Sequence, residues 1–305
     1  MSAENILKGR ALMMNEFSQY HPSVIFTYFL FAFLFTCAHF NPISLFIAFF
    51  SAFVLLALLK GRKALRQNIV LMPMLFLSMA IINPAFNHQG VTILMYLASG
   101  NPLTLESVFF GLIAAGMVLS VILFFSCFNE IMTSDKLIYL FGKIIPSLSL
   151  IFSMTLRLVP KFREQIKAVS KAQKCIGRST RDKNLIKRVK SGLSIFSVMI
   201  TWSIENAIET ADSMKSRGFG TSKRTAFSIY SFTKRDKKAL FVILLMSAYV
   251  ILGSMLGIFD FTCFPYVKSA EISLYAISVY LSELFLLLLP AIIEITELRR
   301  WKYTS

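Results

Sequence analysis

The chain has 305 residues, of which 56% are hydrophobic and 30 are Phe, with a mean hydropathy of +0.65. Those values exclude a soluble domain with a polar surface and point to an integral membrane protein. The formal charge is +16, and the stretch from Arg157 to Lys238 holds twenty Lys/Arg against six acids, so nearly all of that charge sits in one segment.

Residues 1–19 mix charges with scattered apolar residues and have no continuous apolar core, so no cleavable signal peptide is expected. Residues 24–40 then run without a charge to Asn41-Pro42, and a second apolar run covers 43–59. This pattern predicts a helical hairpin with a short turn. Lys60, Arg62, Lys63 and Arg66 follow, and such a cationic cluster places that end in the cytoplasm. Residues 69–86 are a third predicted span, the loop 87–105 carries no Lys or Arg, and 108–128 are a fourth span.

Parity then decides the next stretch. With the N-terminus inside, four spans leave residue 129 inside, and the basic segment has to remain there. Lys136, Lys143, Pro146 and Arg157 break the apolar run that follows into pieces shorter than the ~20 residues of a span. Residues 134–143 are therefore read as a short interfacial helix, and Pro146 as the first-turn residue of a new one. That helix has Leu148, Ile151, Thr155, Leu158, Phe162, Ile166 and Val169 at helical spacing. After a hydrophilic turn at 177–184, a second amphipathic helix has Val189, Leu193, Phe196, Ile200, Ile204, Ile208 and Ala211 in the same rhythm and stops at Gly218. The two stripes are expected to pack on each other. Residues 239–258 and 272–293 complete six spans, with both termini inside. The expected fold is an all-α membrane protein: four spans in 1–133, a cytoplasmic two-helix module in 134–238, and two spans in 239–305.

No residue set supports catalysis. GxxxxGK[ST], HExxH, GxSxG and paired-Asp signatures are absent, so no cofactor and no ATP cradle are expected. His21, His39 and His88 cannot be gathered by local spacing into a metal site. Cys37, Cys127, Cys175 and Cys263 form no CxxC pair and are read as inert packing residues. Glu283 lies deep in the last span, where a carboxylate is either functional or a neutral, hydrogen-bonded packing group. The aromatic interleaving of a nucleic-acid surface is nearly absent from the basic segment.

The two amphipathic helices end in Ala172-Gln-Lys-Cys-Ile-Gly177-Arg178 and Ala211-Asp-Ser-Met-Lys-Ser-Arg217-Gly218-Phe219. A guanidinium at such an end can reach a carboxylate or backbone carbonyls of a partner in a fork geometry that Lys cannot copy. The plainer reading makes Gly177 and Gly218 C-caps and Arg217 a cation that complements the helix dipole. A third has the polybasic segment bind anionic membrane lipid, at ~1 kcal/mol per cation near the surface.

At these residues the chain resembles the transmembrane T component of energy-coupling factor transporters, the EcfT/CbiQ family. Three stretches carry the likeness: Asn83-Pro84-Ala-Phe86-Asn-His-Gln-Gly90, Leu156-Arg157-Leu-Val-Pro160 leading into Ala172-Gln-Lys174, and Ala211 to Phe219. The resemblance implies that the two helices are coupling helices docking into two cytoplasmic ATP-binding-cassette ATPases. It assigns Ala211, Ser216, Arg217 and Gly218 to one dock, and Ala172, Gly177 and Arg178 to the other. The first motif departs from the Ala-Arg-Gly pattern, because Cys175-Ile176-Gly177 stands there and Arg178 follows. Either Arg178 substitutes from its shifted place or that helix docks through packing alone. The resemblance further implies a separate substrate-binding membrane subunit that selects a vitamin or metal ion, ATP hydrolysis by the partners only, and a cell-membrane location. A stand-alone, ion-coupled secondary transporter is the alternative, with Glu283 as its candidate residue.

Overall fold

The computed structural model describes residues 16–87, 89–96, 102–142, 146–177, 185–221, 230–265, 268–269 and 273–304. After a 3₁₀ turn at Phe17–Gln19, the chain forms α1 (Pro22–Ala38), α2 (Pro42–Phe86), a hairpin of β1 (Ile93–Tyr96) and β2 (Pro102–Thr104), α3 (Leu105–Ile131), α4 (Ser134–Gly142), α5 (Pro146–Cys175) and α6 (Leu185–Ser216). It closes with α7 (Lys234–Met255), a minimal hairpin of β3 (Phe261–Thr262) and β4 (Lys268–Ser269), and α8 (Leu274–Thr304). Contacts divide these into a unit formed by Met1–Leu137 with Tyr230–Ser305 and a second unit, Ile138–Ile229.

In the first unit the helix starts obey local chemistry. Pro22 and Pro42 sit in first turns, where a missing N–H has no cost, and the side chains of His21 and Asn41 accept the N–H groups of Ser23 and Ile43 at 3.2 and 3.0 Å. Thr233 and Asp236 form a capping box at the start of α7. Four helical segments among the described residues are long and apolar enough to cross a membrane: Pro42–Lys60, Leu105–Ile131, Lys234–Met255 and Leu274–Thr296. The other two predicted spans are shorter apolar helices, Pro22–Ala38 and Met72–Phe86.

The break expected at the cationic cluster after residue 59 is not a loop. The residues of α2 are helical across the cluster, where Lys, Arg, Ala, Leu and Gln favour a helix around Gly61, while Pro73 and Pro84 inside it each remove a ladder hydrogen bond. The polypeptide still turns back. Phe40 packs at a tilt on Phe110 with ring centroids 4.9 Å apart, Lys60 Nζ donates to Ser126 Oγ at 3.1 Å, and a Cβ on Gly111 would lie 3.1 Å from the Cβ of Asn83. A straight helix would hold Pro42 and Asn83 ~60 Å apart at ~1.5 Å per residue. Both ends of α2 instead reach the same end of α3, so its direction reverses between Lys60 and Asn83.

Around this pair the remaining helices close the bundle, α1 against α3 and α7, and α8 against α2 and α7. At the turn between α1 and α2, His39 Nδ1 lies 3.1 Å from Glu283 Oε1, Ser44 Oγ donates to the same oxygen at 2.6 Å, and the His39 ring stacks on Phe259 at 3.7 Å. The helices of α7 and α8 meet closely at Gly253, where a Cβ would stand 2.7 Å from Val279 Cγ1.

The second unit consists of α5 and α6, which meet edge to face at Phe162 and Trp202 with ring centroids 5.3 Å apart. Beside this contact Lys161 Nζ donates to Asn206 Oδ1 at 2.7 Å and sits 5.5 Å from the Trp202 ring centre. The face of α6 that carries Trp202 holds the buried Ser191, Ile195 and Met199. The stripe expected to pack is the other one, and it is open: Val189, Leu193, Phe196 and Ile208 are each about 60% exposed, with Ile200 and Ile204 also exposed. On α5, Ile151, Thr155 and Ile166 of the expected stripe are exposed, Leu158, Phe162 and Val169 are half-buried, and the side chain of Leu148 lies outside the described set. A large aromatic ring and a polar anchor at one crossing outweigh an aliphatic stripe in choosing the contact face.

The Gly253 approach generates a stability prediction. Gly253→Ala gains ~1 kcal/mol of helix propensity but forces a β-branched neighbour aside at ~1–3 kcal/mol. Its unfolding midpoint in detergent is expected to fall below wild type, and adding Val279→Ala is expected to raise the single variant's midpoint. A midpoint for Gly253→Ala at or above wild type would show that the contact yields freely.

Candidate functional site

Of the residues singled out in the sequence, all but Arg178 are described, and they occupy the two helix ends of the second unit. At the end of α6 the Gly218 N–H bonds the Lys215 carbonyl and the Phe219 N–H bonds the Met214 carbonyl, both at 3.0 Å, with Gly218 at φ +77°. This pair of bonds is a Schellman cap, and a left-handed residue after the last turn is what glycine supplies at least cost. Thr221 reinforces it, its Oγ1 donating to the Gly218 carbonyl at 2.7 Å. Ser216 Oγ turns back onto the Ser213 carbonyl at 2.9 Å, and Ala211, Ser216, Arg217 and Gly218 are all exposed. Arg217 has no hydrogen bond or ion pair with another described residue.

The end of α5 is built the same way as far as it is described. Gly177 has φ +77° and its N–H bonds the Lys174 carbonyl at 3.0 Å, while Ala172 and Gly177 are exposed. Arg178 lies outside the described residues. Each end sits ~20 Å along its own helix from the crossing of Phe162 with Trp202, at ~1.5 Å per residue. The structure thus places the described ones among the chosen residues, all but Arg178, in two separate helix ends, each beyond the same crossing.

The electrostatics favour an acidic partner. Lys167, Lys171 and Lys174 on α5 and Lys187, Arg188 and Lys190 on α6 are exposed. The three ion pairs among the described residues, His39–Glu283, Lys60–Glu130 and Arg235–Glu16, all belong to the other unit. Exposed cations along the end of α5 and the start of α6 speed encounter with an anionic surface.

Other sequence candidates fall elsewhere. Glu283 is fully buried in the first unit, its Oε1 held by His39 and Ser44 and its Oε2 without a partner among the described residues. His21 caps α1, and His88 lies outside the described set. Cys127 and Cys263 are buried as packing residues, whereas Cys37 and Cys175 are exposed, because they fall on the outer faces of their helices. The described residues contain no cluster of three metal-ligating side chains. Sequence reasoning passed over the crossing of Lys161, Phe162, Trp202 and Asn206. Its signal was the run Ser191, Ile195, Met199, Trp202, Asn206 at spacings of three and four.

The fold defines an all-α integral membrane protein joined to a basic two-helix unit. The chain belongs to the CbiQ family, described as Cobalt transport protein, whose profile matches residues 18–227. It is similar to the energy-coupling factor transporter transmembrane protein EcfT of Lactobacillus helveticus, with 28% identity over 109 residues, 35% of this chain and 39% of that one. The protein of the same name from Lactococcus lactis subsp. cremoris is 30% identical over 111 residues, covering 36% and 42%. That of Bacillus selenitireducens is 31% identical over 111 residues, covering 36% and 41%. The matched stretch spans about two fifths of the length of these relatives.

The Schellman cap at Gly218 is open to a direct check. Forcing a Cβ into the left-handed region costs ~1–2 kcal/mol, so in Gly218→Ala the amides of Gly218's replacement and Phe219 are expected to exchange roughly tenfold faster. Gly192→Ala, inside α6 with open space around it, is expected to leave those two amides unchanged. Equal exchange in Gly218→Ala and wild type would show that the cap bonds are not formed in solution.

Proposed function

We propose that this chain is the transmembrane energy-coupling subunit of an ECF-type ABC importer. It would transmit the motion of two cytoplasmic ATPases to a substrate-binding membrane subunit for uptake of a micronutrient, a vitamin or a metal ion. The observation that carries this reading is the pair of exposed, glycine-capped, cationic helix ends, set at similar distances from one crossing, in a chain of the CbiQ family. Arg217 is the docking arginine of α6, with Ala211, Ser216 and Gly218 leaving room for a partner's backbone to approach. Ala172 and Gly177, with Arg178, serve the second ATPase. ATP-driven closure of the ATPase pair moves one helix end relative to the other, and the crossing at Trp202 turns that motion into a sliding of the helices.

The open apolar faces supply the other contact. Ile151, Phe152 and Leu156 on α5 and Leu193, Phe196 and Ile204 on α6 form a surface too apolar to be left in water. In this reading the substrate-binding subunit covers it, and anionic lipid neutralises the adjacent cations. The chain crosses the membrane six times in the cell membrane, with both ends in the cytoplasm and catalysis left to the partners.

Affinity purification of the tagged chain from native membranes tests this, with Arg217→Glu and Ala172→Glu measured beside wild type. Wild type is expected to bring two related ATPases, Arg217→Glu to lose one or both with an unchanged elution profile, and Ala172→Glu to lose the other. Absence of any ATPase from the wild-type preparation would overturn the reading. The stand-alone secondary transporter, for which the Oε2 of buried Glu283, without a partner among the described residues, speaks, would then take its place.

A further inference from the structure

The stretch after α2 that carries the Asn83-Pro84 motif builds a feature that the coupling reading leaves unused. Its base is tightly made. Thr92 donates to Glu106 Oε1 from its Oγ1 at 2.7 Å and from its N–H at 3.2 Å, Thr104 Oγ1 donates to the Gln89 carbonyl at 2.7 Å, and the Leu105 N–H bonds the Thr92 carbonyl at 3.0 Å. Gly90 has φ +136°, and a Cβ there would lie 2.5 Å from Glu106 Oε2, so both its backbone and its lack of a side chain are needed. Glu106, Thr104 and Ser107 are buried beneath this clamp.

Beyond the clamp the hairpin is the reverse, apolar and bare. β1 pairs antiparallel with β2, Ile93 opposite Thr104 and Tyr96 opposite Pro102. Strand side chains alternate between faces, yet Ile93, Leu94, Met95 and Tyr96 are all exposed, by 48 to 66%. Neither face of the strand is covered. The bare surface continues onto the adjoining end of α2, where Ile81, Ile82 and Phe86 are exposed, Phe86 by 83%. No Lys or Arg occurs between Arg66 and Lys136. A rigidly based strand with apolar side chains on both faces, continuous with the bare flank of a membrane helix and free of cations, matches a lipid surface rather than water.

We propose that the β1–β2 hairpin is a membrane-interface element, lying in the leaflet at that end of α2 and α3 with Ile93, Leu94, Met95 and Tyr96 among the lipids. Depth is set by two opposing demands. The outer edge of β1 has backbone groups that need water, which keeps the strand out of the hydrocarbon core. Its side chains need cover, and Tyr96 has the amphipathic ring that settles at headgroup level. The Glu106 clamp fixes where the strand meets the bilayer, so the hairpin resists tilting of α2 and α3.

The test uses the full chain in bilayer nanodiscs of phosphatidylcholine and phosphatidylglycerol. In a background with Cys37, Cys127, Cys175 and Cys263 replaced by Ala, spin labels are placed at Leu94→Cys, Met95→Cys, Phe46→Cys on the bare flank of α2, and Glu164→Cys on exposed α5. Relaxation by oxygen and by a water-soluble nickel chelate is read at each site. Leu94→Cys and Met95→Cys are expected to follow Phe46→Cys, accessible to oxygen and shielded from nickel. Nickel accessibility equal to that at Glu164→Cys would overturn the proposal, as would shielding from both reagents, which means protein cover. Should the cysteine-free background not elute as one species, Leu94→Trp in the native sequence serves. Its added fluorescence over wild type is expected to be quenched by lipids brominated near the headgroup, and an unquenched signal overturns the proposal.

Discussion

Buried acids set the arrangement of the membrane unit. Apolar contacts between helices are non-directional, so a bundle rich in Phe and Leu could settle in several registers with similar energy. Glu106, Asp236, Glu283 and Glu294 are each almost fully buried; Glu106 holds Thr92 in the loop before it, and the other three each hold a distant part of the chain. Glu283 joins the α1–α2 turn to α8 through His39 and Ser44, Glu294 accepts the Phe17 N–H at 3.4 Å, and Asp236 accepts the His21 N–H at 3.1 Å. A register slip of one residue would strand such a group in an apolar setting at ~1–3 kcal/mol or more, which a lost methylene contact does not match.

Two of these ties, at Phe17 and His21, fall within the six residues from Glu16 to His21, and a buried lysine adds a third there. Lys136, just before the chain leaves this unit, donates to the Ser18 carbonyl and Oγ at 2.6 and 2.7 Å and to the Ile131 carbonyl at 2.9 Å. Burial holds its ammonium below the usual lysine range, and three acceptors offset part of that desolvation. Where the chain rejoins the unit, Arg235 lies 4.2 Å over the Tyr20 ring and 3.8 Å from Glu16, next to the Asp236 tie. Both connectors to the two-helix unit are thus fastened to one short segment, which also touches α8 through Glu294.

How much of this was legible in the sequence differs by element. The hairpin at Asn41-Pro42, the starts of α5 and α6 and the glycine caps could be read directly, since Pro at a first turn and Gly in a left-handed cap act through local backbone geometry. The continuity of α2 through Lys60 could not, because charge marks a membrane boundary without ending a helix. Nor could the buried face of α6. Its aliphatic stripe and its Ser191–Trp202–Asn206 face have the same period, and only tertiary pairing with Phe162 and Lys161 separates them. Glu283 was visible as an oddity, but its partners His39 and Ser44 lie more than two hundred residues away in sequence.

The single crossing of α5 and α6 has an energetic consequence for any partner. Beyond it each helix runs on for thirteen or fourteen residues to its cap, and isolated helices of ~12–15 residues are marginal in water. The Schellman bonds at Gly218 and the cations of the last turns add only a few tenths to about 1 kcal/mol each. Helix arms of that kind, basic on one side and aliphatic on another, gain most of their order from what they touch. Any contact along such an arm therefore stiffens it, and its order depends on what lies against it.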